Sequence, residues 1–249
     1  MSTGAFAAMV AMVAITTIAP AQVLVSHTGA ADPTSEGWTA TGTASLGSAN
    51  NASTAWSIND STNGSLHYDR ALSTDEQTNA ASAGWILSVT IVVTDSSNTH
   101  NFTRYVDFVD AVNKARWGLD FGSDANGNIN VFLRGTEKSV QLPDTNAHTF
   151  SLVYNPSGGT GGSGSASLFI DGSATASLTD YTGNKDASIS SSLIRWGSTA
   201  TNPTGSADYL AVSFAITTIP ETARVATIFG MTIAIAGVAL RRRSPPPPR

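Results

Sequence analysis

Carboxylates, amides, hydroxyls and imidazoles are the groups from which this chain could build chemistry. It has no cysteine, which excludes disulfides, zinc–thiolate sites and cysteine nucleophiles. Glu36, Glu76, Glu137 and Glu221 each stand isolated. Asp107 and Asp110 lie close together, but odd spacing puts them on opposite faces of a continued strand, so both read as solvated strand-end carboxylates. No serine has glycines at both −2 and +2, so a nucleophile elbow is absent, as are a Walker loop and a His-Glu-x-x-His pair. His27, His67, His100 and His148 are scattered, and His148 reads as a surface or strand-end histidine.

Oxygen ligands are densest in one short stretch. Asp120, Asp124, Asn126, Asn128 and Asn130 resemble a hard-cation site, and Ca2+ takes six to eight oxygens. The Asp124-x-Asn126-Gly127-Asn128 fragment lacks the later bidentate glutamate of an EF-hand, so a plain hairpin turn is the expectation. Ca2+ is the one cofactor these residues leave open. The five tryptophans, Trp38, Trp56, Trp85, Trp117 and Trp196, would stack on sugars if exposed, but tryptophan in a strand is usually core. Trp85 is expected in the core; Trp117 and Trp196, flanked by Arg116 and Arg195, are left open.

Many short β-type runs separated by Gly, Asn, Asp and Ser turns must position these groups, which predicts an all-β sandwich or barrel. The clearest strand is Trp85–Thr94, where β-branched residues alternate on both faces, as in a half-buried or central strand. Other expected strands are 65–68, 102–108, 116–121, 129–133, 148–154, 166–170, 174–178, 193–196 and 209–215. Residues 124–128 read as a hairpin turn, 156–165 as a flexible Gly/Ser connection, and 73–83 as one short helix. There is no internal repeat.

Charge and hydropathy divide the chain into segments. Met1–Ala21 reads as a secretory signal peptide, apolar over Ala5–Ile18, with Ala19-Pro20-Ala21 as the cleavage pattern but no basic residue near its start. Residues 22–32 read as an exit linker and 33–217 as the folded domain. From Gln22 to Thr217 there are 8 basic against 17 acidic residues, a formal −9, which argues against nucleic acid as a partner. In the last segment, 218–249, no residue from Val225 to Leu240 is charged. As a helix that run would be about 24 Å long, a little short of a ~30 Å hydrocarbon core. Arg241, Arg242 and Arg243 follow, then a basic, proline-rich end over 244–249, and the arginines favour a cytoplasmic position for that end.

Ile219-Pro220-Glu221-Thr222, the apolar run and the triple arginine resemble, in that order, the PEP-CTERM sorting signal of exopolysaccharide-producing Gram-negative bacteria. Thr222 stands where the second proline is usual, and the chain runs on past the arginines. The resemblance implies an exosortase-type protease as a partner, a transient hold in the inner membrane by 225–240, and export to the envelope, outer surface or extracellular matrix. Within the domain, Ala147–Asn155 followed by Ala166–Gly172, and Gly205–Phe214, resemble strands of laminin-G-like, concanavalin A-like domains. That resemblance implies a jelly-roll sandwich of two antiparallel sheets, with Ca2+ binding frequent in the family. Hydrolytic glucanases of that fold carry a Glu-x-Asp-x-(x)-Glu strand, which this chain lacks. The expectation is therefore a non-catalytic, exported β-sandwich that binds glycan or exopolysaccharide. A divergent glycan hydrolase using aspartates and a purely structural surface protein are the alternatives.

Overall fold

Hydroxyl-bearing and β-branched side chains in alternation, cut by turn residues, give sixteen strands and one α-helix among the described residues. The computed structural model describes residues 21–60, 64–95, 104–123, 128–198 and 205–217. The expected signal peptide (apart from Ala21) and the whole sorting segment, with Pro220, Glu221, Thr222 and Arg241–Arg243, lie outside them. Ala21–Thr217 forms one compact unit.

The strands begin with β1 (Gln22–Thr28), β2 (Thr39–Gly42), β3 (Gly47–Ala49), β4 (Trp56–Asp60) and β5 (Leu66–Ala71). Helix α1 (Thr74–Ala83) leads into β6 (Trp85–Asp95), β7 (Arg104–Asp110), β8 (Ala115–Ser123), β9 (Ile129–Leu133) and β10 (Ser139–Gln141). Then come β11 (His148–Asn155), β12 (Ser165–Ile170), β13 (Leu178–Tyr181) and β14 (Asn184–Lys185). The last two are β15 (Leu193–Ser198) and β16 (Gly205–Ile216). They make two antiparallel sheets packed as a sandwich. The first has the order β13-β12-β11-β6-β16-β4-β3, with β1 also on β16. The second has the order β10-β9-β8-β7-β15-β5-β2, with β14 also on β8.

β6 is the keel of the first sheet. Its Trp85, Leu87, Val89, Ile91 and Val93 are all buried in the core. Its other face is half-buried, with Ser88 bonded across to Ser151 at 3.0 Å and Thr90 to Thr149 at 2.9 Å. Such cross-strand hydroxyl pairs fix register on a face that apolar burial does not specify. Trp85 stacks on Tyr154 at 5.2 Å and meets Phe108 and Trp117 of the second sheet edge-on at 5.3 and 5.8 Å. Trp117 and Trp196, left open by the sequence, are core residues at 1% and 0% exposure.

The linker expected at 22–32 is instead largely strand: β1 pairs along β16 from Gln22↔Ile216 to Thr28↔Ala211. Its Val25 and His27 turn inward, and His27 stacks on Trp196 at 4.8 Å. The strand expected at 174–178 starts only at Leu178, because the Ser173 hydroxyl and the Thr175 backbone bond each other and hold a turn. The expected helix forms one residue shorter, with Ser73 as its N-cap. Strands β8 and β9 flank the expected hairpin turn in antiparallel register, while residues 124–127 lie outside the described residues.

Candidate functional site

The strands of the second sheet turn Leu66, Tyr68, Val106, Phe108, Trp117, Leu119, Ile194 and Trp196 into the core. Strand alternation therefore sends Asp69, Tyr105, Asp107, Arg116, Asp120 and Arg195 to the opposite, outer face. Register aligns them in rows. Arg195 of β15 lies between Asp69 of β5 and Asp107 of β7, and Asp107 faces Gly118 of β8. In the next row, Tyr105 faces Asp120. Gly118 makes the close approach possible, since a Cβ there would sit 2.6 Å from both the Asp107 Cβ and the Val106 carbonyl oxygen.

Arg134, just past β9, ties this face together. Its backbone N–H donates to the Gly118 carbonyl at 2.9 Å, which fixes where the side chain starts. Its Nη1 donates to Asp120 Oδ1 at 2.6 Å, its Nε lies 3.5 Å from Asp107 Oδ2, and its guanidinium sits 4.6 Å from the Tyr105 ring centre. Arg195 grips Asp69 with Nε at 2.6 Å and Nη2 at 3.3 Å, a bidentate pair.

Burial dominates the protonation of the two inner carboxyls. Asp107 is 0% exposed, and among the described residues neither of its oxygens has a hydrogen-bond partner. Burial pushes its pKa above the usual carboxylate range, although Arg134 and Arg195 pull it down. Asp120, 2% exposed, is pushed up to about 7 by burial, again against the pull of Arg134. The Tyr105 phenol, raised chiefly by burial and then by Asp107, stays protonated. A carboxyl that ionises near neutrality beside a second raised carboxyl is the arrangement that general acid–base chemistry uses. Asp107 and Asp110 are thus not the solvated pair expected. They do face opposite ways, but both are buried, and Asp110 closes the β7–β8 turn by accepting from the Val112 and Asn113 backbones at 2.9 and 3.0 Å.

An open cleft of about 210 Å3 adjoins this row, lined by Val109, Arg116, Arg195, Leu193 and the segment 188–191. A second, of about 240 Å3, lies at the β1 edge beside Glu36, Trp38 and Arg70. Among the oxygen ligands considered for Ca2+, Asp120 is bound to Arg134 and Asn128 lies in the loop ahead of β9. Asp124 and Asn126 lie outside the described residues, among which no three acidic or histidine side chains are grouped so that they could hold a metal ion. His148 is buried, not on the surface. Its Nδ1 meets Asp171 Oδ2 at 2.7 Å and its Nε2 meets Asp144 Oδ1 at 3.1 Å. The Arg134 bridge was missed in the sequence; its signal would have been an arginine just past a strand that ends opposite two aspartate-bearing strands.

No protein-family model matches the chain, and no curated protein sequence matches it. Solved structures do. The carbohydrate esterase of Shiga toxin-encoding bacteriophage phi24B is similar at TM-score 0.55 and 12% identity, covering 80% of this chain and 100% of that one. The alginate lyase Aly36B follows at TM-score 0.45 and 12% identity, with 80% and 97% covered. Botulinum neurotoxin type C matches at TM-score 0.49 and 11% identity over 84% of this chain and about half (51%) of the toxin chain. At these identities the likeness concerns the fold. It corrects one expectation: the chain cannot be set down as non-catalytic, because a carbohydrate esterase shares its sandwich. Asp107, read in the sequence as solvated, is moreover buried, and burial raises both it and Asp120 above the usual carboxylate range.

Proposed function

We propose that this chain is an exported, concanavalin A-like jelly-roll protein that engages polysaccharide on the outer face of its second sheet and processes it. Asp120 is the proton-transfer group in this reading, with Arg134 holding it and burial, helped by neighbouring Asp107, favouring its protonated form. The observation that carries the reading is the row on this face in which Arg134 joins Asp120 to Asp107 and Arg195, paired with Asp107, continues into an open, serine-lined cleft; burial pushes Asp120 up to about 7 there. The esterase of similar fold is named for work on carbohydrate, which agrees with this reading.

The C-terminal residues support a sorting step. Pro220-Glu221-Thr222, the apolar run 225–240 and Arg241–Arg243 would hold the chain in the inner membrane until an exosortase-type protease cuts near Pro220-Glu221. The proposed destination is the envelope surface or matrix, where polysaccharide is at hand.

Incubation of the full chain with a panel of neutral and acidic polysaccharides tests the function. Products detected as new reducing ends, unsaturated ends or released acyl groups are expected on at least one polymer. A panel without any product, at enzyme concentrations that would reveal a few turnovers per hour, would sink the proposal.

A further inference from the structure

The cleft beside Arg195 has a composition at odds with the domain that holds it. Between Gln22 and Thr217 acidic residues outnumber basic ones 17 to 8, yet two arginines and no carboxylate line this cleft. The edge cleft by β1, in contrast, is lined by one charge of each sign, Glu36 and Arg70.

The acidic partners of the two arginines lie outside the lining. Asp69 holds Arg195 by Nε and Nη2, on the row that runs across the sheet. Asp186 lies 3.5 Å from Arg116 Nε, and its Oδ1 is already bonded by the Ser188 N–H at 3.0 Å and hydroxyl at 2.5 Å. Arg116 meets Asp186 through Nε at a long 3.5 Å, and its side chain is 31% exposed. Guanidinium forks of this kind match planar anions through paired N–H donors.

The rest of the wall suits a sugar ring. Ser188, Ser190 and Ser191 are exposed, while half-buried Leu193 offers apolar surface above buried Val109. At about 210 Å3 the cleft falls below the ~300 Å3 of ordinary small-molecule pockets, so it takes one residue of a chain. We propose that this cleft is a subsite for a negatively charged sugar unit, a uronate or a sulfated hexose, read by Arg116 and the free edge of Arg195. This deepens the polysaccharide reading and rests on it: the substrate class becomes acidic polysaccharide, with the anionic unit seated next to Asp107.

Affinity electrophoresis of the full chain, in gels carrying polygalacturonate, a sulfated galactan or a neutral galactan, tests this directly. Retardation by at least one anionic polymer over the neutral one is expected, and the arm that responds identifies carboxylate or sulfate. Arg116→Gln should cut that preference roughly tenfold, the scale of one lost charge-assisted hydrogen bond, and Arg116→Lys should restore only part of it. Ser190→Tyr, placed on the exposed rim, should block the cleft without touching an ion pair. Preference that survives both Arg116→Gln and Ser190→Tyr overturns the subsite. Retardation by neutral galactan alone also overturns it and leaves the polysaccharide reading standing. Retardation by no polymer, with no product from the polysaccharide panel, removes both.

Discussion

Asp120 and His148 are both buried ionisable groups held against opposite charge, but the balance falls differently at each. At Asp120 burial outweighs Arg134, and the pKa rises to about 7. Arg134→Gln removes the opposing pull, so the Asp120 carboxyl should titrate higher still, as read by carboxyl carbon NMR. At His148 burial alone would lower the pKa, but the hydrogen bonds and charges of Asp171 and Asp144 outweigh it and raise it above 6.5. A raised histidine contributes stability in full below its unfolded pKa and loses it as pH rises through the folded pKa. The two aspartates are lowered, Asp144 chiefly by the Asn146 backbone and Asp171 chiefly by His148, so their share is lost as pH falls through their folded values, below 3.8. The clamp is therefore strongest between those limits, and His148→Ala should lower Tm more at pH 5.5 than at pH 8.5. An equal drop at both pH values would contradict it. Neither balance was legible in the sequence, which shows His148 at a strand start but not the aspartates that fold back onto it.

Elements with strong local signals matched their sequence reading; elements set by partners did not. β6 and α1 carry their own instructions, an alternating apolar run in one and a capping box in the other. The Ser73 hydroxyl accepts from the Glu76 N–H, and Glu76 Oε2 accepts from the Ser73 N–H at 2.7 Å. Ser73→Ala should cost about 1 kcal/mol in denaturant unfolding. By contrast, β2 and β3 are short runs of Thr, Ala, Ser and Gly with exposed or half-buried side chains, formed only because β5 and β4 offer free edges. β1 falls in the stretch expected to be an exit linker; β16 recruits Gln22–Thr28 as a strand across a register shift between Val23 and Val25. The outer row of the second sheet depends on Gly118, and Gly118→Ala should destabilise by about 1–3 kcal/mol, since its methyl group would displace Asp107 or the β7 backbone. Unchanged stability would mean that the row is loosely packed.

At the scale of the whole molecule, sandwich and function were unequally written in the chain. Turn spacing and alternation were enough for an all-β sandwich or barrel, because burial on one face enforces period two, while two antiparallel sheets were what the resemblance of its strands implied. The site was not, because Asp69, Tyr105, Asp107, Asp120, Arg134 and Arg195 come from four strands and the segment after a fifth, and only sheet register brings them together. Sorting makes a separate prediction at this scale: mass spectrometry of the mature protein should find a C-terminus near Pro220-Glu221, and an intact Arg249 would reduce the tail to an ordinary anchor. The central claim, proton transfer by Asp120 to a bound polysaccharide, is tested most directly by product release from the panel polymer for the full chain and for Asp120→Asn. The account predicts turnover that depends on a group ionising near pH 7 and falls at least ~100-fold in the variant while its Tm stays within a few degrees. Equal turnover by the two proteins would contradict it.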